Sequence, residues 1–323
     1  MSHAARIAIL IPCLNEAGTI AAVVNEFHTE LPDAAIWVVD NGSTDGTADV
    51  AAASGARVIR EPRLGKGFAI RAAFRDVEAD VYVLADGDGQ LPADSVHDLI
   101  RPILEARADM VVGSRAIGGR TSPSLVNNVG NIVFSRILRS LLGVRVTDVL
   151  SGYRAMSRML VKSLPLGARN FEIEVELTIK TTQRSYRIVE VPFKVRPRPP
   201  ETRPHLRVVR DGARISWAIL LLFRDYRPMA FFGAIGVVLL AVAAGLFAVS
   251  GGVGQAWLMP TDTLAELVAI AGILAICVGA TVSVLARRFQ ELESKVDMVT
   301  TADISELGST GDPSLTEETR HRG

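Results

Sequence analysis

Residues 81–92 read VYVLADGDGQLP, and the fold turns on this stretch. An apolar, β-branched run stops at two carboxylates, Asp86 and Asp88, with Gln90 following at the same two-residue spacing. A strand this apolar is buried on both faces, as strands of parallel sheets are. Working outward, runs of the same kind occur at 7–11, 36–39, 58–59 and 110–112. Between them, 19–30, 47–54, 66–74 and 95–107 carry helical apolar spacing. The alternation predicts an α/β domain over residues 1–200, with a mainly parallel sheet covered on both faces. In such sheets ligands sit at the carboxyl ends of the strands.

The chain has 323 residues, with 35 Lys plus Arg matched by 35 Asp plus Glu. Zero net charge removes the electrostatic case for a nucleic-acid partner. Cys13 and Cys277 make neither a disulfide framework nor a zinc site, and both are expected as buried thiols. The N-terminal apolar stretch is too short for a secretory leader.

The apolar residues concentrate late. Residues 229–249 form 21 residues without a charge, and 267–286 form 20 more. A hydrocarbon core about 30 Å thick needs about 20 helical residues, so the pair predicts a transmembrane hairpin over 229–288. Its link, 250–266, has no Lys or Arg, whereas Arg224 and Arg227 precede the first span and Arg287 and Arg288 follow the second. That asymmetry places the sheet domain and both termini in the cytoplasm, and the expected location is a bacterial plasma membrane. Gly233 and Gly236, and Gly279 with Ser283, would let helices approach within the hairpin or between copies of a homo-oligomer. Before the hairpin lies a basic connector, 201–228. Arg207, Arg210 and Arg214 alternate there with Ile215, Trp217, Ile219 and Leu221, the pattern of a helix in the headgroup layer. The polar tail, 289–323, is expected to be disordered.

The chemistry-bearing residues fall at the expected sheet edge. Two carboxylates two residues apart repel and resist desolvation, and a hard divalent cation relieves both. Asp86, Asp88 and Gln90 are therefore the candidate metal ligands; a plain Asp-Gly turn is the bland alternative. In VVDNGSTDGT, residues 38–47, Asp40 ends a strand and could accept from a base or ribose, with Ser43 in the turn; capping of the next helix explains the turn equally well. Gly65-Lys66-Gly67 could carry a lysine to phosphate. Arg115, Arg120, Arg136, Arg139 and Arg154 are candidate phosphate-binding guanidinium groups, with Asp148 among them in VTDVLSGYR. Glu172, Glu174 and Glu176 lie at a predicted helix start, either supporting the site or favouring the helix dipole.

The ordered set IPCLNE, DNGSTDGT, GKG, DGDGQ, GSR, TDVLSGYR and FEIEVEL, then two spans, resembles family 2 glycosyltransferases. The likeness is to the dolichol-phosphate mannose synthase and bacterial polyprenyl-phosphate glycosyltransferase group, over residues 7–288. It implies a Rossmann-like GT-A fold, a UDP- or GDP-sugar donor, a polyprenyl phosphate acceptor, Mg²⁺ or Mn²⁺, and inversion at the anomeric carbon. By that likeness Pro12, Asn15, Glu16 and Asp40 line the nucleotide pocket, with Ser43, Lys66 and Asp86. Asp86, Asp88 and Gln90 hold the metal on the diphosphate, and Arg115, with Arg136 beside it, meets the lipid phosphate. Asp88, Asp148 and Arg115 are the expected catalytic group, Asp148 orienting the metal site or an arginine. The chain departs from the pattern at Asn41, where an acid is usual, at Gly87, where alanine is usual, and at Pro204-His205-Leu206, where a lysine is usual and Arg203 or Arg207 would substitute. Asn127, Asn128 and Asn131 occupy the region of a second lipid-phosphate arginine. Two other readings are a processive polysaccharide synthase, disfavoured by the missing Q-x-x-R-W motif and single hairpin, and a non-catalytic membrane scaffold.

Overall fold

The apolar runs become strands β1 (Ile7–Cys13), β2 (Ala35–Asp40), β3 (Arg57–Arg60), β4 (Val81–Leu84) and β5 (Met110–Ser114). Helices α1 (Ile20–Glu30), α2 (Thr47–Ala53), α3 (Lys66–Asp76) and α4 (Val96–Leu104) alternate with them. This is a computed structural model, describing residues 5–115, 135–136, 138–140, 142–197, 208–250 and 261–309. Two short strands, β6 (Arg154–Ser157) and β7 (Ile188–Pro192), complete the sheet, with α5 (Arg158–Ser163) and α6 (Ile173–Gln183) between them. Ser157 caps α5 by accepting from the Leu160 amide.

The sheet order is β3-β2-β1-β4-β6-β5-β7. All neighbours run parallel except β6, which is antiparallel to both β4 and β5. The sheet is thus mainly parallel, and the expectation lacked its reversed strand β6 and its edge strand β7. Ile9, Ile11, Val38, Val83 and Val111 from the strands pack with Val24 and Phe27 of α1 and Leu99 and Ile103 of α4 in one core. Each such side chain contributes about 1.5–3 kcal/mol on burial.

The chain divides into two compact units, Met1–Leu222 and Phe223–Gly323. Helix α7 (Val208–Tyr226) covers the described part of the basic connector, and its Trp217 and Leu220 are exposed. The expected residues Arg203, Pro204, His205, Leu206 and Arg207 lie outside the described residues.

The second unit contains α8 (Pro228–Ser250) and α9 (Thr261–Ser309). Both are long and apolar enough to cross a membrane, at Pro228–Val249 and Thr263–Ala286. They approach at small residues. A Cβ at Gly236 would lie 2.6 Å from the Gly272 carbonyl oxygen, and one at Gly279 would lie 2.9 Å from the Phe232 Cβ. Gly233, expected at the contact, faces nothing within 4 Å, and Gly272 takes its place. Two further expectations are corrected. Cys277 is exposed on α9, because an all-round apolar helix does not dictate which side faces its neighbour. Helix α9 also continues to Ser309, where a disordered tail from residue 289 was expected. Residues 280–307 contain no Gly or Pro, so nothing stops the helix.

Candidate active site

Strands β1, β2 and β4 run parallel in close register, Cys13 opposite Asp40 and Leu10 opposite Leu84, so their last turns share one edge. The first two turns are sewn together. Asn15 has φ 55°, a left-handed conformation that asparagine tolerates. Its Oδ1 accepts from the Thr44 amide at 2.8 Å, and its own amide donates to Ser43 Oγ at 2.9 Å. The Glu16 amide donates to Thr47 Oγ1 at 2.9 Å, and Glu16 is itself buried. Asp40, also buried, accepts from the Ser43 amide at 3.1 Å. Asn15, Ser43 and Asp40 are thus brought together, bonded to one another across the β1 and β2 turns, with half-buried Pro12 beside them.

Asn41, where the family usually has an acid, serves the loop instead. Its Nδ2 donates to the carbonyls of Glu61 and Arg63, and its Oδ1 accepts from the Gly65 amide at 2.6 Å. An aspartate could accept here but could not donate. The clamp fixes the turn that starts α3 and presents Lys66.

The other wall of that turn is the loop 167–170. Glu176 accepts from the amides of Gly167 and Ala168, and Glu172 from those of Arg169 and Asn170. The loop then packs on the glycines flanking Lys66. The Gly67 amide donates to the Arg169 carbonyl at 3.0 Å. A side chain at Gly65 or Gly67 would strike the carbonyls of Arg169 or Ala168. Glu172 and Glu176 therefore support the site by ordering a loop.

Glu174, between them, does something the sequence did not disclose. Two residues along a helix is about 200° of rotation, so Glu174 leaves the loop-facing side and points at Lys66. The Lys66 ammonium lies 2.6 Å from Asp86 Oδ1 and 2.7 Å from Glu174 Oε1. Burial opposes its charge, but Asp86 and then Glu174 overcome that, holding Lys66 protonated above the usual lysine range. A narrow cleft here is lined by Pro12, Lys66, Asp86, Gly152, Arg154 and Glu174. Gly152 gives the Asp86 carboxylate its room: a Cβ there would lie 2.6 Å from Asp86 Oδ2.

Asp86 is part-exposed at the cleft, whereas Asp88 is buried and accepts from the Gln90 amide at 3.1 Å. Gln90 also faces the Arg196 carbonyl, its Nε2 3.5 Å away. Among the described residues no three His, Cys, Asp or Glu gather as a ready-made metal cage. Two hard carboxylates suit an ion that takes one or two protein oxygens and completes its shell with phosphate and water, as magnesium does. The residues present therefore fit the implied metal. Gly87 also has a local reason. A Cβ there would sit 2.5 Å from Cys13 Sγ, the buried thiol beneath the turn. Burial raises that thiol well above its ordinary pKa, so it packs as a small apolar group.

Across the rim, Arg115 follows β5 directly and forks onto wholly buried Asp148, with Nε to Oδ2 and Nη2 to Oδ1 both at 2.7 Å. The Arg115 amide donates to the same carboxylate. Asp148 thus orients an arginine. Behind it, Glu190 of β7 accepts from the Thr147 amide and hydroxyl and from the Asp148 amide. Glu190 was not a sequence candidate; a lone acid in a short strand gives no periodic signal.

Arg154 is a correction. The sequence offered it as a phosphate ligand, yet it is fully buried. It donates to the carbonyls of Ser151 and Val149 and to Thr178 Oγ1. Burial pushes its pKa down to about 10. Paired along its length, it is a structural cation. Arg136 and Arg139 are exposed in a helical stretch and are not drawn into the cleft. Arg120, Asn127, Asn128 and Asn131 lie outside the described residues.

A mainly parallel sheet with paired carboxylates after β4 and a held arginine after β5 is the arrangement of an enzyme that handles a phosphate-bearing ligand at the carboxyl edge of its strands. Residues 8–164 match Glycosyl transferase family 2, and the chain belongs to that family. It is 31% identical over 221 residues to a dolichyl-phosphate hexose transferase of Haloferax volcanii, covering 68% of this chain and 95% of the relative. It is 30% identical over 206 residues to an undecaprenyl-phosphate mannosyltransferase of Micrococcus luteus, covering 58% and 82%. Among solved structures, it resembles Mycobacterium tuberculosis glucosyl-3-phosphoglycerate synthase in complex with Mn²⁺, UDP-glucose and phosphoglyceric acid. That likeness has TM-score 0.58 and 28% identity, covering 68% of this chain and 80% of that one. The chain is a glycosyltransferase.

Proposed function

We propose that this enzyme transfers a hexose from a nucleotide diphosphosugar to a polyprenyl phosphate at the cytoplasmic face of a membrane. The observation that carries the reading is a sheet edge that holds Lys66 and Arg115 beside carboxylates, in a chain that also has two membrane-length apolar helices. The named acceptors of the two relatives, a dolichyl and an undecaprenyl phosphate, support the same class of acceptor. In the reaction an acceptor phosphate oxygen bonds to the anomeric carbon as the bond to the donor diphosphate breaks, inverting that carbon. The nucleophile is already anionic at neutral pH, so no strong general base is needed.

The protein's work is positioning and charge screening. A Mg²⁺ or Mn²⁺ held by Asp86 and Asp88, with Gln90 adjacent, would neutralise the leaving diphosphate. Pro12, Asn15, Glu16, Asp40 and Ser43 shape the nucleotide pocket, and Lys66 adds positive charge beside the diphosphate. Arg115, aimed by Asp148, meets the acceptor phosphate, with Arg136 farther out. The basic α7 lies in the headgroup layer, and the hairpin over 229–288 anchors the catalytic domain, residues 1–200. Both termini are cytoplasmic.

The test is incubation of the full chain in detergent or vesicles with labelled UDP- and GDP-hexoses and undecaprenyl or dolichyl phosphate, with Mg²⁺, Mn²⁺ or EDTA. One labelled sugar per lipid is expected, lost with EDTA and in Asp88→Asn. If no donor labels either lipid, or label passes instead to 3-phosphoglycerate, the acceptor assignment fails.

A further inference from the structure

The buried ion cluster at the cleft contains one atom that its surroundings leave unsatisfied. Glu174 is 4% exposed; its Oε1 holds Lys66, and its Oε2 is buried with no hydrogen-bond partner. An ionised carboxylate oxygen away from water is costly unless something compensates it. Meanwhile Lys66 Nζ is shared, reaching Asp86 Oδ1 at 2.6 Å, and Asp86 is one of the two carboxylates proposed to hold the metal. Ammonium and metal thus compete for one carboxylate, and the lysine's second partner has an idle oxygen.

We propose that Lys66 is a displaceable counter-ion, neutralising Asp86 until the metal arrives and then passing to Glu174, which is the positioning residue that receives it. The inference rests on the metal-binding reading above. Two observations point the same way. Lys66 is already held by Glu174, so release from Asp86 needs a rotation of the side chain's end. The unfilled Glu174 Oε2 can take a further ammonium N–H, so the transfer removes the buried deficit. Lys66 carries three N–H donors, enough to grip both oxygens of one carboxylate. Fixed walls confine the movement: the Gly65 and Gly67 backbone abuts the loop 167–170, and Asp86 rests on Gly152. Glu174 thus makes metal entry an exchange of cations instead of the loading of a bare acidic pair.

The test is Mn²⁺ binding to the full chain in detergent, without nucleotide, followed by loss of the free-ion electron paramagnetic resonance signal. Lys66→Met should bind Mn²⁺ about tenfold tighter than wild type, because the competing charge is gone. Glu174→Gln should bind it several-fold more weakly, because Lys66 then has only Asp86 as an ionised partner. The double variant should match Lys66→Met. Lys66→Arg should keep wild-type affinity or weaken it, and melting curves would verify that each variant is folded. If Glu174→Gln weakens Mn²⁺ binding equally with and without Lys66, or Lys66→Met does not tighten it in folded protein, the exchange is refuted. Wild-type protein that binds no Mn²⁺, even with UDP or GDP present, would overturn the metal site itself, and the exchange with it.

Discussion

Replacing Gly87 by alanine places a methyl group 2.5 Å from Cys13 Sγ. Heavy atoms of this kind rest about 3.5–4.0 Å apart, so the shortfall is about 1 Å. Cys13 cannot yield easily, being 2% exposed in the strand that pairs with β2 and β4. The expected cost is that of an overpacked core, about 1–3 kcal/mol. At about 2 kcal/mol, a domain of this size should melt about 4–8 °C lower. Removing the obstructing atom in Cys13→Ala costs about 1 kcal/mol alone, through a small void. The double variant Cys13→Ala/Gly87→Ala moves one heavy atom across the contact and should recover most of the loss, a coupling of about 1–2 kcal/mol. Thermal melts of the four proteins in one detergent measure this. A double variant melting as low as the two single losses combined would show that Cys13 and Gly87 do not share that space.

Arg115→Lys replaces the two-bond fork on the fully buried Asp148 carboxylate by a single ammonium, while the amide at 115 still donates to it. A loss of about 2–3 kcal/mol in stability is expected, together with a raised KM for the lipid phosphate, measured by melting and initial-rate kinetics. Acid should weaken the loop that starts α3. The Arg63 side chain holds the Glu61 carboxyl down at about 2 against its ordinary 4.5. The unfolded chain therefore takes up that proton first, and the stabilisation is complete above about 4.5 and lost as pH falls toward 2. Melting temperature against pH should accordingly flatten in Glu61→Gln. In the hairpin, Gly236→Ala puts a methyl group 2.6 Å from the Gly272 carbonyl oxygen and should cost about 1–3 kcal/mol, whereas Gly233→Ala meets open space. Equal melting losses in the two would show that Gly236 is not the contact.

The sequence made β1, β2, β4 and β5 plain because each is an apolar run too short and too branched for a helix. It also placed Asp40, Asp86 and Asp88 at one edge, because a carboxylate that ends such a run has nowhere else to go. It did not disclose β6, which opens on Arg154: a buried arginine satisfied by carbonyls reads, residue by residue, like a surface one. The roles of Asn15, Ser43 and Asn41 were obscured for a related reason. Polar side chains that tie turns together have the same composition as those that bind ligands. Glu174 was legible as an acid on a helix; its partner was not, since Lys66 lies more than a hundred residues earlier. The small residues of α8 and α9 signalled that the helices approach but not which glycines meet.

Because β6 runs against its neighbours, Arg154 lies opposite both Leu84 and Val112, near the ends of β4 and β5. Residues 115 and 153 consequently sit at the same rim of the sheet, one just after β5 and the other just before β6. A stretch of chain whose two ends are fixed at one rim can lengthen, shorten or change composition while both anchor points stay put. Variation confined to that stretch would therefore leave Asp40, Lys66, Asp86 and Asp88, all of which precede both anchors, in place.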